Sequence, residues 1–411
     1  MSAGRHTRLC CLAAAALLGV TPVTAATAQE TATPLPAGQK GCLSPPPSAE
    51  AGVPWPQQQL QPQRVWPLTT GAGVTVAVVD SGVDGGTPQL AGGRVAEGVD
   101  VTTPGRGPAN TDCYGHGTFV AGIIAASVSP DTGFAGVAPG ATILPIRCAS
   151  PGEDGAVPVL TSAAMADGIR AAVDGGARVI NISASTTTPD PKLADAVRHA
   201  ADHDVVVVAS AANGAKQGDP VTYPAAFPTV IAVGAVDAAG QRAEFSQTGK
   251  FLSLVAPGVN VVSVGPRGGG HWQGTGTSYS APFVAGAAAL VRAYHPDLTA
   301  EAVRHRLEAT ADHPAAALPD PGLGWGTVNL VAAVTSVLPE EGTAGRMIDP
   351  PPAAPVAAAQ AGVNGPLVAL VALLLVGSFA FLLGVAVRLI RAGRARNWGK
   401  RGAQGAASQV N

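Results

Sequence analysis

Val74-Thr-Val-Ala-Val-Val79 runs straight into Asp80-Ser-Gly-Val-Asp84. The first six residues are short, β-branched and almost continuously apolar. That is the pattern of a strand buried on both faces, not of one with a wet side. Working outward, the same pattern recurs at 142–146, 179–182, 205–209 and 230–236. Between these runs lie stretches with helical spacing at 118–126, 161–174 and 192–203. Two more follow at 282–294 and 299–310, the latter with Thr299 placed to cap it. Strands alternating with helices predict an α/β fold with a parallel sheet covered on both faces. Such sheets bind ligands at the carboxyl ends of their strands, where both Asp80 and Asn213 fall.

Composition bounds the function. The chain has 411 residues, of which 13% are charged, and a net charge of −2. Neither figure suits a nucleic-acid binder. The N-terminus carries Arg5 and Arg8, an apolar run Leu9–Val20 and a small-residue site at Ala26-Thr27-Ala28, with Val23-Thr24-Ala25 as a second. This predicts a secretory signal peptide over 1–28. Near the other end, Leu367–Val387 holds twenty-one residues without a charge. At about 1.5 Å per residue they span the roughly 30 Å hydrocarbon core of a bilayer. Arg388, Arg391, Arg394, Arg396, Lys400 and Arg401 follow, and no acidic residue lies beyond Asp349. The positive-inside rule then predicts a single-pass protein of the cell membrane, with residues 29–364 extracytoplasmic and the basic tail 388–411 cytoplasmic.

Residues 29–65 are rich in Pro, Gln, Ala and Thr and predict an extended segment, not an independent domain. Trp55, Trp66 and Cys42 are the residues able to hold it to the body at 66–337. Residues 338–366, rich in Pro and Ala, predict a tether to the membrane helix. Cys10 and Cys11 leave with the signal peptide, so Cys42, Cys113 and Cys148 remain. In an oxidising compartment three cysteines predict one bridge and one leftover, with three pairings open. No pair has metal-ligand spacing, and Asp84 alone is not an acidic cluster, so neither a required metal nor a cofactor is expected.

Three short motifs carry the chemistry. Asp80 closes the first strand; in isolation an Asp there is ordinarily a turn former. His116 stands in Gly-His-Gly-Thr-Phe-Val-Ala-Gly122, between two glycines at a helix start. Ser278 stands in Gly274-Thr-Gly-Thr-Ser-Tyr-Ser-Ala-Pro-Phe-Val-Ala-Gly286, with Thr277 as the expected helix cap and Pro282 in the first turn. Acyl transfer needs a hydroxyl, a base to activate it, and a carboxylate to hold that base in one tautomer. Asp80, His116 and Ser278 supply these in the order Asp, His, Ser, one of the chain orders known for this geometry. Asn213, ending the run Val205–Asn213, offers an amide to the oxyanion, with the Ser278 N–H as second donor.

These segments resemble the active-site blocks of the subtilisin-like serine proteases, and Val-Ile-Asn181-Ile-Ser fits as well. The resemblance covers residues 66–335 and implies a seven-stranded parallel sheet and serine endopeptidase activity. It makes Asp80 the orienting acid, His116 the base, Ser278 the nucleophile and Asn213 an oxyanion-hole residue. The ends of the chain further resemble the mycosins, membrane-anchored proteases attached to type VII secretion systems. That resemblance implies polypeptide substrates, secretion-complex subunits as partners, an extension that wraps the body without blocking the site, a Cys42–Cys113 bridge and a free Cys148. Two departures bear on substrate binding. Ser183-Ala184-Ser185 stands where the family reads Ser-Leu-Gly, and Ala212 stands where it has Gly. Extra atoms there predict a narrow S1 pocket that prefers Ala or Ser at P1.

Overall fold

The computed structural model describes residues 33–36, 41–103, 106–149, 160–341, 382–389 and 391–392. The chain divides into two compact units, Met1–Ala344 and Gly345–Asn411. In the second, residues 382–389 and 391–392 are helical. No helix among the described residues is long and apolar enough to cross a membrane. The signal peptide, most of the expected span and most of the tail lie outside the described residues.

In the first unit the described strands are β1 (Thr33–Pro34), β2 (Thr75–Asp80), β3 (Val99–Asp100), β4 (Thr142–Arg147), β5 (Val179–Ile182), β6 (Val206–Ser210), β7 (Val230–Val236), β8 (Leu252–Pro257), β9 (Val261–Val264) and β10 (His271–Gly274). The helices are α1 (Trp55–Leu60), α2 (His116–Ala125), α3 (Ser162–Asp174), α4 (Pro191–Asp202), α5 (Thr277–Tyr294), α6 (Ala300–Ala309) and α7 (Leu330–Thr335). Seven strands form one sheet in the order β3-β4-β2-β5-β6-β7-β8, every neighbouring pair parallel. The expected seven-stranded α/β architecture is therefore present.

Strand pleating explains the continuous apolar runs. Val76 and Val78 of β2 join a cluster with Phe119 and Ile123 of α2 and Val284 and Ala288 of α5. Their neighbours Ala77 and Val79 join the opposite cluster, with Met165 and Ile169 of α3 and Leu193 and Val197 of α4. Successive side chains point to opposite faces and both faces are roofed by helices, so neither set can be polar. Thr161 caps α3 by accepting from Ala164 N–H, and Asp190 caps α4 by accepting from Lys192 and Leu193.

The expected extended segment departs at two places, the short helix α1 and a 3-10 turn at Pro62–Arg64. Only Pro56, Gln57 and Leu60 of α1 are buried, against the domain. The described remainder of the extension is tied down as anticipated. Trp55 Nε1 donates to Val259 O at 3.1 Å and Trp66 Nε1 to Val137 O at 3.0 Å. Cys42 is bonded to Cys113, and Cys148 is free and buried. β1 adds in parallel to β10, which pairs antiparallel with β9.

A buried histidine also holds the extension. His271 is fully buried; its Nδ1 accepts from Glu50 N–H and its Nε2 bonds Gln89 Oε1, each at 2.9 Å. An acceptor nitrogen must stay unprotonated, and burial pushes His271 down from 6.5 to about 4. The unfolded chain therefore binds the extra proton between those values. This contribution is intact above pH 6.5 and erodes as pH falls towards about 4, amounting to about 3 kcal/mol if fully expressed. Urea midpoints measured from pH 7 to 4 should fall, and His271→Asn should flatten the fall within this window. An unchanged slope in the variant contradicts the assignment.

Candidate active site

The site sits at the carboxyl ends of β2, β5 and β6, where α2 and α5 begin. Asp80 is the last residue of β2 and is 4% exposed. Its Oδ1 accepts from Ser81 N–H at 2.8 Å, and its carbonyl accepts from Cys148 N–H at 2.8 Å. His116 opens α2, and its Nδ1 lies 2.8 Å from both Asp80 oxygens. That contact puts the proton on Nδ1 and leaves the Nε2 lone pair free to act as a base. Burial alone would lower the His116 pKa. The Asp80 charge and hydrogen bond, with Asp112 behind them, outweigh it and hold the imidazole above its ordinary value.

The glycines beside His116 admit neighbours other than the imidazole. A Cβ on Gly115 would strike Leu43 of the extension at 2.4 Å, and one on Gly117 would strike the Gly82 carbonyl at 2.1 Å. They let the extension and the β2 turn close around the start of α2. Sequence reasoning missed the residue that organises this turn, Asp112. It is 5% exposed and accepts from Ser81 Oγ, Tyr114 N, Gly115 N, Thr118 N and Thr118 Oγ. Ser81 Oγ in turn accepts from Gly117 N–H at 3.0 Å. Asp112 thus caps the histidine helix and couples it to the residue after Asp80. An Asp four residues ahead of a helix-opening His was the available signal.

Thr277 is the first residue of α5 and not its cap; the cap is Gly276, at φ 155° and ψ 158°. Those angles are open only to glycine. Pro282 consequently lies inside the helix, not in its first turn. Lacking an N–H, it leaves the carbonyl four residues earlier, that of Ser278, without a helical donor. Ser183 Oγ fills the vacancy, donating to Ser278 O at 2.7 Å. Ser183 is steadied by Asn181 Nδ2 at 3.0 Å. In return Ser278 Oγ donates to Ser183 O at 3.1 Å. The Ser278 hydroxyl therefore rests on a carbonyl and not on His116 Nε2.

Asn213 follows β6. Its Oδ1 accepts from Thr277 N–H at 2.9 Å and Thr277 Oγ at 3.0 Å. Since the N–H can only donate, the amide is oriented by this contact. Its Nδ2 is left over, 3.2 Å from where a Gly276 Cβ would stand. Asn213 is exposed, so Nδ2 faces outward as a free donor. Ala212 before it holds φ 81°, a left-handed conformation unusual for alanine. Its N–H donates to Thr277 Oγ at 3.1 Å.

The remaining expected substrate-binding residues divide. Ser183 is buried, and Ser185 is half-buried. Ala184 packs against the α3–α4 cluster. A residue not anticipated, Thr222, is 2% exposed and donates from Oγ to Ala211 O at 2.8 Å. Next to it, Tyr223 and Thr186 exchange two backbone hydrogen bonds. Residues 222–223 thus tie together the strand ends that flank Ser278.

A buried carboxylate, an imidazole held by it, a serine hydroxyl and an outward amide at the mouth of a parallel sheet define a serine hydrolase. Comparison with known proteins narrows the class. The subtilase family (peptidase S8) matches residues 71–326. Mycosin-3 of Mycobacterium tuberculosis is 36% identical over 374 residues, covering 75% of this chain and 79% of that protein. Mycosin-4 of the same organism is 39% identical over 330 residues, 71% of each chain. The solved structure of the MycP3 protease from the type VII (ESX-3) secretion system superposes with a TM-score of 0.63 at 35% identity, covering 75% of this chain and 98% of that one. The chain belongs to the subtilase family, as a serine-type endopeptidase of the mycosin type.

Proposed function

We propose that this chain is a membrane-anchored extracytoplasmic endopeptidase that works beside a type VII secretion complex and cleaves secreted polypeptides. Asp80, His116 and Ser278 form its triad, and Asn213 Nδ2 with the Ser278 N–H forms its oxyanion hole. The observation that carries the catalytic reading is the two-oxygen contact of Asp80 on His116 Nδ1, set beside an α5 start that Asn213 buttresses through Thr277. In the reaction Ser278 Oγ turns from Ser183 O to His116 Nε2. His116 takes its proton as the hydroxyl attacks the scissile carbonyl, then passes that proton to the leaving amine. Asp80 stabilises the imidazolium between these steps. A fluorophosphonate probe should label wild type at Ser278 and leave Ser278→Ala unlabelled. An unlabelled wild type overturns the reading.

The link to secretion rests on the likeness to mycosins and on the ends of the chain. Membrane extraction should retain the full chain and release one truncated before Leu367. Secretion-complex subunits should co-purify from detergent-solubilised membranes; recovery of the chain alone would favour a general envelope protease.

A small P1 residue is the preferred substrate feature, because Ser185 and Ala212 each carry side-chain atoms where the family has glycine. A peptide library should be cut best after Ala or Ser. Ala212→Gly, which removes one methyl at a φ of 81° that glycine accepts, should raise kcat/KM for Leu at P1 relative to Ala by about 10-fold or more, the range for one methylene of pocket space. Wild type that cuts best after Phe or Leu contradicts this.

A further inference from the structure

The residue after the nucleophile has no part in the scheme above, yet its ring touches the base. Tyr279 is 8% exposed. Its ring centroid lies 5.4 Å from that of His116, tilted at 44°, and 4.6 Å from that of Phe119, tilted at 53°. His116 and Phe119 stand three apart on α2 and share one face of it. The Tyr279 ring therefore bridges the first turn of α5 and the first turn of α2. Backbone closes on the ring as well: a Cβ on Gly274 would fall 2.5 Å from Tyr279 Cε2. The ring has no room to move towards Gly274.

We infer that Tyr279 is a positioning residue for the general base, an aromatic stop that fixes the tilt of the His116 ring and keeps water from that side of it. The inference rests on the catalytic reading given above. Asp80 grips His116 at Nδ1 only. A hydrogen bond at one corner leaves the ring free to swing about that corner, and the swing moves Nε2, the atom that must meet Ser278 Oγ. About 30% of the His116 side chain is open to solvent, so solvent alone cannot limit the swing. Tyr279 supplies the wall. The hydroxyl is not needed for this, and it stays protonated, because burial and the Asp80 charge push its pKa up.

The test compares Tyr279→Ala, Tyr279→Leu and Tyr279→Phe with wild type and His116→Ala in the full chain. A peptide substrate is used, with rates normalised to the fraction of folded protein. Misplacing a reacting group by about 1 Å is worth on the order of 10²-fold, so kcat of Tyr279→Ala should fall by about 10- to 100-fold with KM changed less than about 3-fold. Tyr279→Leu, which fills the site only in part and has no planar ring, should fall in the same direction, and it carries the test if the alanine variant does not fold. Tyr279→Phe should restore kcat. Water reaching the imidazole relieves the burial that lowers its pKa. The acidic limb of kcat/KM should therefore move to higher pH in the alanine and leucine variants and stay in place in Tyr279→Phe. A structural role would reduce the folded fraction without moving that limb. Wild-type kcat and an unmoved limb in both Tyr279→Ala and Tyr279→Leu overturn the inference, as does a Tyr279→Phe enzyme as slow as they are. An active His116→Ala overturns instead the catalytic reading beneath it.

Discussion

Asp80→Asn should lower kcat by about 10⁴-fold while leaving the fold and substrate affinity nearly unchanged. Asparagine occupies the same volume, and its Oδ1 can still accept from Ser81 N–H as Asp80 does at 2.8 Å. What changes is the partner of His116. A carboxylate can only accept, so it fixes the proton on Nδ1. An amide whose oxygen is held by Ser81 turns its NH₂ towards Nδ1. The imidazole then answers with the other tautomer, its proton on Nε2, and cannot receive one from Ser278. The pH profile gives a second reading. The Asp80 charge and hydrogen bond offset the burial that lowers the His116 pKa. With both gone, the acidic limb of the residual activity should move to lower pH. A variant within about 10-fold of wild type, or with an unmoved limb, places the base elsewhere.

The second large effect concerns stability and lies far from the chemistry. Arg306, on α6, is 1% exposed. Its Nη1 donates to Ala333 O at 2.8 Å and its Nε to Glu341 Oε1 at 2.7 Å. Its Nη2 meets the other Glu341 oxygen, which completes a fork on the carboxylate. Glu341→Ala would leave a guanidinium buried without its counter-charge. Removing one partner of such a pair costs about 3–5 kcal/mol. For a domain of this size that corresponds to a drop in Tm on the order of 10 °C. Replacing both partners, as Arg306→Met with Glu341→Leu, should recover most of the loss, because the stranded charge disappears with its mate. Calorimetry on the three variants decides this. A Glu341→Ala protein melting within about 2 °C of wild type shows the fork to be solvated and of little weight.

The parts legible in the sequence were those whose cause is local. β2, β4, β5, β6 and β7 announced themselves because burial on both faces leaves no polar position. Asp80, His116, Ser278 and Asn213 were singled out because each stands at or near the end of a strand or the start of a helix. The structure brings Asp80 onto His116, and Asn213 onto the residue before Ser278. What stayed hidden depends on partners distant in the chain. Asp112 gains its meaning from Ser81, thirty-one residues away. Thr222 needs the end of β6, and Tyr279 needs α2. The start of α5 was misplaced because Pro282 reads as a first-turn residue. Its interior position becomes tolerable only when Ser183, ninety-five residues before Ser278, takes up the stranded Ser278 carbonyl. β9 and β10 were overlooked among glycines, and α1 because most of its surface is polar.

The ties of the extension also set an order of assembly. Residues 33–66 are among the first to be synthesised, yet Leu43, Glu50 and Trp55 find partners 224, 221 and 204 positions later. Contacts of such span form late, since the intervening chain must first be ordered. The strand that β1 and Glu50 join, β10, leads directly into the turn that presents Ser278. The start of the chain therefore makes its last ties only when nearly the whole domain is present, and those ties are a seal applied at completion. A polypeptide interrupted before His271 would still build most of the main sheet, but it would lack the β1–β10 pairing, the Glu50 tie and the nucleophile.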